Sequence, residues 1–156
     1  MTDTLKEGDP APTFDLPTDG GGRVQLDALR GKAVVIYFYP KDDTSGCTKE
    51  ALAFTELKPE FDSIDAVVIG ISADSTASHD KFKAKHDLAV TLASDESRET
   101  LEKYGVWVEK SMYGRKYMGI ERSTFLVARD GTIARIWRRI KLPGHAAGVL
   151  NATKLL

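Results

Sequence analysis

Cysteine is almost absent: of 156 residues, only Cys47 carries a thiol. A single thiol cannot build an internal disulfide framework, and it excludes the Cys-x-x-Cys pair of dithiol redox proteins. Such a chain fits a reducing compartment, the cytoplasm by default. Long apolar runs are missing as well. The longest, Ala33 to Tyr39, falls far short of the roughly 20 residues a membrane span needs. The start, Met1 to Glu7, has neither the basic region nor the apolar core of a signal peptide. Charge of one sign is lacking too. Lysine and arginine number 22 against 23 acidic residues, a net charge of −1. The two signs alternate along the chain, so neither nucleic acid nor a membrane surface is expected as a partner. The histidines, His79, His86 and His145, are too scattered for a metal site, and no motif asks for a cofactor. His79 and His86 read as exposed helix residues. The basic cluster Arg135, Arg138, Arg139 and Lys141 reads as a solvated face. Gly20-Gly21-Gly22 lacks the lysine and helix of a phosphate loop and reads as a turn. No repeat or linker interrupts the chain, whose length predicts one domain over residues 1–156. A domain of that size buries roughly 68–70% of its unfolded surface, enough for its own core.

What is present alternates between two periods. Thr13 to Leu16 and Val24 to Leu26 flank the glycine turn and predict an N-terminal hairpin. Ala33 to Tyr39 is a run of β-branched and aromatic residues, the mark of a strand buried on both faces. Cys47, Ala51, Phe54, Leu57 and Phe61 then step at helical spacing, so Cys47 opens the inward stripe of a helix. Pro59 should kink or weaken its last turn. Ala66 to Ser72 predicts a second buried strand, Ser75 to His86 a capped helix with Phe82 inward, and Thr91 to Ala93 a short strand. Ser97 to Tyr104 predicts a helix closed by Gly105. Ser123 to Val127 and Thr132 to Trp137 flank Ala128-Arg129-Asp130-Gly131, a hairpin signal, and Ala146 to Leu156 closes the chain as a helix. Trp107, Met112, Tyr113 and Met118 read as packing residues, or as part of a loop that walls the pocket or an interface. This is α/β, thioredoxin-like order: a central mixed sheet flanked by helices, with right-handed crossovers between its parallel strands.

A lone intracellular cysteine is usually a small buried hydrophobe. Cys47 is placed otherwise, after a strand, a polar turn and the start of a helix. Free backbone N–H groups and the positive end of the helix dipole converge there. Both favour the thiolate, the reactive form. The spacing Pro40-x-x-x-Thr44-x-x-Cys47 sets the bland reading aside.

The stretch Phe38 to Thr48 resembles the peroxidatic loop of peroxiredoxins, most closely the bacterioferritin-comigratory or Q-type subfamily. The resemblance spans nearly the whole chain, in order: Gly8 to Pro12, Leu26 to Lys32, the loop itself, Gly70 to Ser75, Tyr104 to Trp107, and Gly114 to Val127. It implies the peroxiredoxin variation of the thioredoxin fold and a thiol peroxidase. It also assigns roles: Cys47 as nucleophile, Thr44 as a hydroxyl touching thiolate and peroxide, and the Gly46 and Cys47 amides as the peroxide slot. Arg122 would hold the thiolate and a peroxide oxygen, and Pro40 would shield the sulfur from water. Taken singly, Thr44 is more often simply a helix cap, Pro40 a strand terminator and Arg122 a solvated side chain; the matched motifs place all three in the site. Ser45 stands where the subfamily would have proline.

Thiol activation alone does not make an efficient peroxidase. A free thiol is about 3% ionised at pH 7, so complete ionisation gains roughly 30-fold, about 2 kcal/mol. Donors aimed at the O–O bond must supply more, roughly 10²–10³ each. Many relatives carry a resolving cysteine five residues after the nucleophile; here that position is Leu52, and Ser75 to Asp87 has none. The expectation is a one-cysteine peroxidase acting on hydrogen peroxide and organic hydroperoxides. An external thiol, from thioredoxin, glutaredoxin or glutathione, would regenerate it, and the protein would be a monomer or weak homodimer. The competing reading is a stoichiometric peroxide sensor that signals through the same cysteine.

Overall fold

A computed structural model describes residues 4–156; Met1 to Asp3, part of the segment read against a signal peptide, lie outside the described residues. The strand β3 (Ala33–Phe38) is buried at every position, as its unbroken apolar run requires. Its alternate side chains supply two cores. Val35 and Tyr37 join Ala51, Phe54, Phe61 and Val149 on one face, while Val34, Ile36 and Phe38 join Phe14, Leu101, Tyr104 and Phe125 on the other.

The sheet order is β5-β4-β3-β8-β9, with β4 (Ala66–Ser72) and β5 (Thr91–Ser94) parallel to β3. The other two strands, β8 (Ser123–Val127) and β9 (Ile133–Arg138), run antiparallel. This is the mixed α/β sheet that the element order predicted. The N-terminal hairpin is formed by β1 (Asp15–Pro17) and β2 (Arg23–Gln25). Helix α1 (Ser45–Ser63) turns Cys47, Ala51, Phe54 and Phe61 inward. It continues four residues past Pro59, because loss of one N–H near a C-terminus removes only one bond. Ser75 caps α2 (Thr76–His86) by accepting from the Ser78 amide at 3.1 Å.

Two helices depart from expectation at their ends. α3 spans only Glu99–Lys103, because buried Asp95 captures Ser97 and the Leu101 amide and Arg98 takes a left-handed turn with φ 66°. Its end is as read: Gly105 (φ 69°) donates to the Glu102 carbonyl and Val106 to that of Leu101, a Schellman closure. α4 begins at His145 and ends at Lys154.

The segment after Tyr104 is a hairpin, β6 (Trp107–Met112) and β7 (Arg115–Ile120), which among the described residues pairs only with itself. That corrects the reading of Met112, Tyr113 and Met118 as packing residues. They are exposed, Tyr113 at 98%, because no second layer covers the hairpin. Trp107 is half-buried under the Arg98 guanidinium. Within the basic cluster, Arg135, Arg139 and Lys141 are exposed, whereas Arg138 is half-buried with its guanidinium over Phe125. Among the described residues, no helix is long and apolar enough to cross a membrane.

Candidate active site

The polar loop between β3 and α1 brings Cys47 to the C-terminal end of the central strand. The register that pairs Phe38 with Ser123 places Arg122 beside the point where β3 ends. Arg122 Nη2 donates to Cys47 Sγ at 3.3 Å, and Nη1 donates to Glu50 Oε1 at 2.6 Å. The sulfur is inside: Cys47 is 1% exposed and packs with Ala51 and Phe54.

Thr44 is the N-cap residue of α1, yet its side chain makes no cap bond. Its hydroxyl donates to the Lys41 carbonyl at 2.8 Å, and only its backbone carbonyl joins the helix, accepting from Thr48. The Gly46 and Cys47 amides fall at the second and third helical positions, which a cap oxygen ordinarily satisfies. Here neither an intrahelical carbonyl nor the cap takes them. Two amide donors are therefore left without a cap acceptor, among the described residues, on the helical turn that carries the sulfur. No hydrogen bond joins Thr44 to Sγ, but a hydroxyl that donates to Lys41 keeps its lone pairs for accepting from a peroxide O–H. Pro40 is exposed at the end of the strand.

Glu50 is the residue that sequence reading passed over. It lies on the inward stripe of α1, 2% exposed, with Oε2 buried and without a partner among the described residues. Burial pushes its carboxyl up to about 7, against the opposing pull of Arg122. The signal was there: a glutamate three residues after Cys47 shares its helical face. His145, at the start of α4, bonds Thr124 Oγ1 through Nε2 at 2.9 Å. Burial, with the nearby Arg122 charge, pulls it down to about 4, so it is neutral at ordinary pH.

Behind the loop is a second buried group. His79 is fully buried, not exposed as read from the helical pattern. Asp42 draws it inward: Nδ1 meets Asp42 Oδ2 at 2.7 Å and Nε2 meets the Ala93 carbonyl at 2.9 Å. Both ring nitrogens face oxygens, so both carry protons. Burial alone would lower the His79 pKa, but the Asp42 bond and charge outweigh it and raise it. Asp42 also accepts from Tyr39 Oη at 2.5 Å and Ser78 Oγ at 2.8 Å. His86 is half-buried, its Nε2 2.8 Å from Asp43 Oδ1.

A sulfur lying under a guanidinium at an uncapped helix start suits a nucleophile. The AhpC/TSA family model matches residues 7–136. The chain belongs to the AhpC/TSA family. Its activity is that of a peroxiredoxin, an oxidoreductase that reduces peroxides with a cysteine thiol. It is 49% identical over 156 residues to Peroxiredoxin Bcp of Xanthomonas campestris, covering 99% of this chain and 97% of that one. To Peroxiredoxin Bcp of Bacillus subtilis it is 44% identical over 151 residues, 97% and 96% of the two chains. A cysteine-to-serine variant of Xylella fastidiosa PrxQ superposes with a TM-score of 0.93 at 39% identity, covering 99% and 98%. The Xanthomonas campestris bacterioferritin comigratory protein, described for its alkyl peroxide reduction, gives 0.89 at 45% identity, covering 98% of each chain. The peroxiredoxin variation of the thioredoxin fold, expected from the resemblance, is thus shared with solved relatives.

Proposed function

We propose that residues 1–156 act as one catalytic domain in which Cys47 is the peroxidatic nucleophile. The observation that carries this is Sγ held 3.3 Å from Arg122 Nη2 at a helix start whose cap hydroxyl is turned away. The thiolate attacks the nearer peroxide oxygen. An S–O bond forms, the O–O bond breaks, and the departing alkoxide takes a proton to leave as alcohol or water. The Gly46 and Cys47 amides and Arg122 donate to the oxygens as charge moves onto them. Thr44 accepts from the peroxide O–H and Pro40 screens the sulfur from bulk water. Substrates are hydrogen peroxide and organic hydroperoxides.

Cys47 is then a sulfenic acid, and this chain has no second cysteine to meet it. An external thiol forms a mixed disulfide with loss of water, and a second thiol releases Cys47. Thioredoxin, glutaredoxin or glutathione fills that role, in the cytoplasm, for a protein acting as monomer or weak homodimer. Without a reductant, excess peroxide carries Cys47 on to the sulfinic acid and ends turnover. Cys47→Ser tests the nucleophile. Peroxide consumption should vanish with the fold intact, and any turnover above background would sink this reading. Intact mass tests regeneration. One peroxide equivalent should add one oxygen, then thiol should convert that species to a single adduct. A Cys47–Cys47 dimer as the main oxidised form would instead make a second subunit the resolving partner.

A further inference from the structure

A cleft of about 720 Å³ lies between the first turns of α1 and the turn leading into α4. Its volume falls in the range of small-molecule sites, roughly 300–1,000 Å³. Ala53, Phe54, Leu142 and Pro143 give it an apolar floor. Two exposed lysines stand on its rim, Lys49 and Lys141. Neither ammonium is in an ion pair among the described residues. Glu50 also lines it, carrying the buried, unpartnered Oε2. A buried oxygen without a partner points to a ligand group that would supply an N–H or O–H. The cleft ends at Gly46, where a Cβ would come within 3.2 Å of Arg122 Nη2 and 3.6 Å of Leu142 Cδ1. The same Nη2 touches the sulfur.

This arrangement asks for a ligand with a carboxylate at one end, a partly apolar body, and an N–H along it. We propose that the cleft seats a carboxylate-bearing low-molecular-weight thiol, the reductant of oxidised Cys47. The proposal rests on the reading of Cys47 as a nucleophile regenerated from outside. The O–O bond must lie against Sγ, and Cys47 does not line the cleft. The cleft therefore suits a molecule anchored at the lysines that extends a flexible arm past Gly46. The thiol sulfur attacks the sulfenic sulfur, an S–S bond replaces the S–O bond, and hydroxide leaves with the thiol proton as water. A second thiol attacks the adduct, releasing reduced Cys47 and the small-molecule disulfide.

The test separates the two half-reactions. Protein is first oxidised with one equivalent of hydrogen peroxide, and formation of the sulfenic acid is confirmed by mass. Reduction is then followed by stopped flow against glutathione, which carries carboxylates, and against neutral 2-mercaptoethanol. Glutathione should saturate while 2-mercaptoethanol stays linear. In the variant Lys49→Ala with Lys141→Ala, the ratio of glutathione rate to 2-mercaptoethanol rate should fall at least tenfold. In Glu50→Gln the one amide oxygen stays with Arg122 and an N–H replaces Oε2, so the glutathione concentration for half-saturation should rise; an unchanged value overturns the contact between Oε2 and the ligand. A wild-type chain that forms no sulfenic acid overturns the nucleophile reading itself. A chain that forms it but reacts linearly with glutathione, or keeps its ratio without the lysines, overturns the cleft proposal alone. Loss of preference for a carboxylated over a neutral hydroperoxide in the oxidation step, with the thiol ratio unmoved, assigns the cleft to substrate and also overturns it.

Discussion

Two acid–base side-chain pairs adjoin the start of α1, one wholly buried and one with its arginine half-buried, and they differ in how completely they are satisfied. Behind the loop, both Asp42 oxygens accept bonds, both His79 nitrogens face oxygens, and Ser78 and Tyr39 complete the shell. In front, Glu50 and Arg122 are bonded at 2.6 Å, yet Glu50 Oε2 has no partner and Arg122 extends its second nitrogen to a sulfur. A complete shell gives rigidity, because each lost bond leaves a buried charge exposed to an apolar interior. An incomplete shell leaves capacity for something that arrives later. The rear pair therefore holds the loop to α2, and the front pair is held ready for chemistry.

Breaking the front should cost rate. Arg122→Lys keeps the charge but loses the planar fork that reaches Glu50 and Sγ together. The second-order rate of Cys47 oxidation should fall roughly 10²–10³, the usual loss for one well-aimed donor. Single-turnover stopped flow with hydrogen peroxide measures it. A loss below about tenfold would mean that charge alone suffices and the fork is incidental.

Breaking the rear should cost stability instead. Asp42→Ala leaves the His79 imidazolium buried without its counter-charge, which should lower the unfolding free energy by about 3–5 kcal/mol. Urea denaturation reads this directly. His79→Ala should show the mirror effect through Asp42, and each variant should lose more stability than Arg122→Lys.

The sequence made the front more legible than the rear, for reasons of distance. The β3 run, the α1 stripe and the spacing from Pro40 to Cys47 are local patterns, and periodicity captures them. Arg122 became visible through the resemblance, since nothing near it in sequence marks it. Glu50 was within reach, because a carboxylate on an apolar stripe is a buried polar group by pattern. His79 and Asp42 are 37 residues apart and meet only because α2 packs against the sheet edge above β5. A histidine on a charged helix looks exposed until the partner across the fold is known. The β6–β7 hairpin hid for the opposite reason: its strands carry charged and apolar residues without a buried face, so they give no alternation to read.

Titration should separate the pairs by pH window. The Glu50 carboxyl is raised from 4.5 to about 7, so the folded state holds more protons than the unfolded one between those values. Stability from this group is complete below pH 4.5 and declines as pH climbs to about 7. Glu50→Gln should remove that decline, an effect on the order of 3 kcal/mol across the window. His79 is raised from 6.5, so its contribution is present below pH 6.5 and is lost only as pH rises through its higher folded value. Urea midpoints measured from pH 4 to 9 on both variants check the assignment. Glu50→Gln should flatten the acid side and His79→Gln the alkaline side. If Glu50→Gln leaves the slope between pH 5 and 7 unchanged, the front carboxyl is not a buried, proton-holding group.

The smallest expected effect on stability concerns Thr44, which sits between the two pairs. Replacing an N-cap threonine by alanine ordinarily costs about 1 kcal/mol, because a helix amide loses its acceptor. Here the hydroxyl makes no such bond, and its contact is the Lys41 carbonyl within the exposed loop. Thr44→Ala should therefore cost less than about 0.5 kcal/mol in unfolding free energy. Its rate penalty should be far larger in proportion, roughly tenfold or more in Cys47 oxidation, since the acceptor for the peroxide O–H is gone. Thr44→Ser restores the hydroxyl and should recover both quantities. A loss of about 1 kcal/mol with little change in rate would show a conventional cap, with the Gly46 and Cys47 amides satisfied by it in solution. The front of the site would then be as complete as the rear, and the contrast between the two pairs would no longer distinguish chemistry from support.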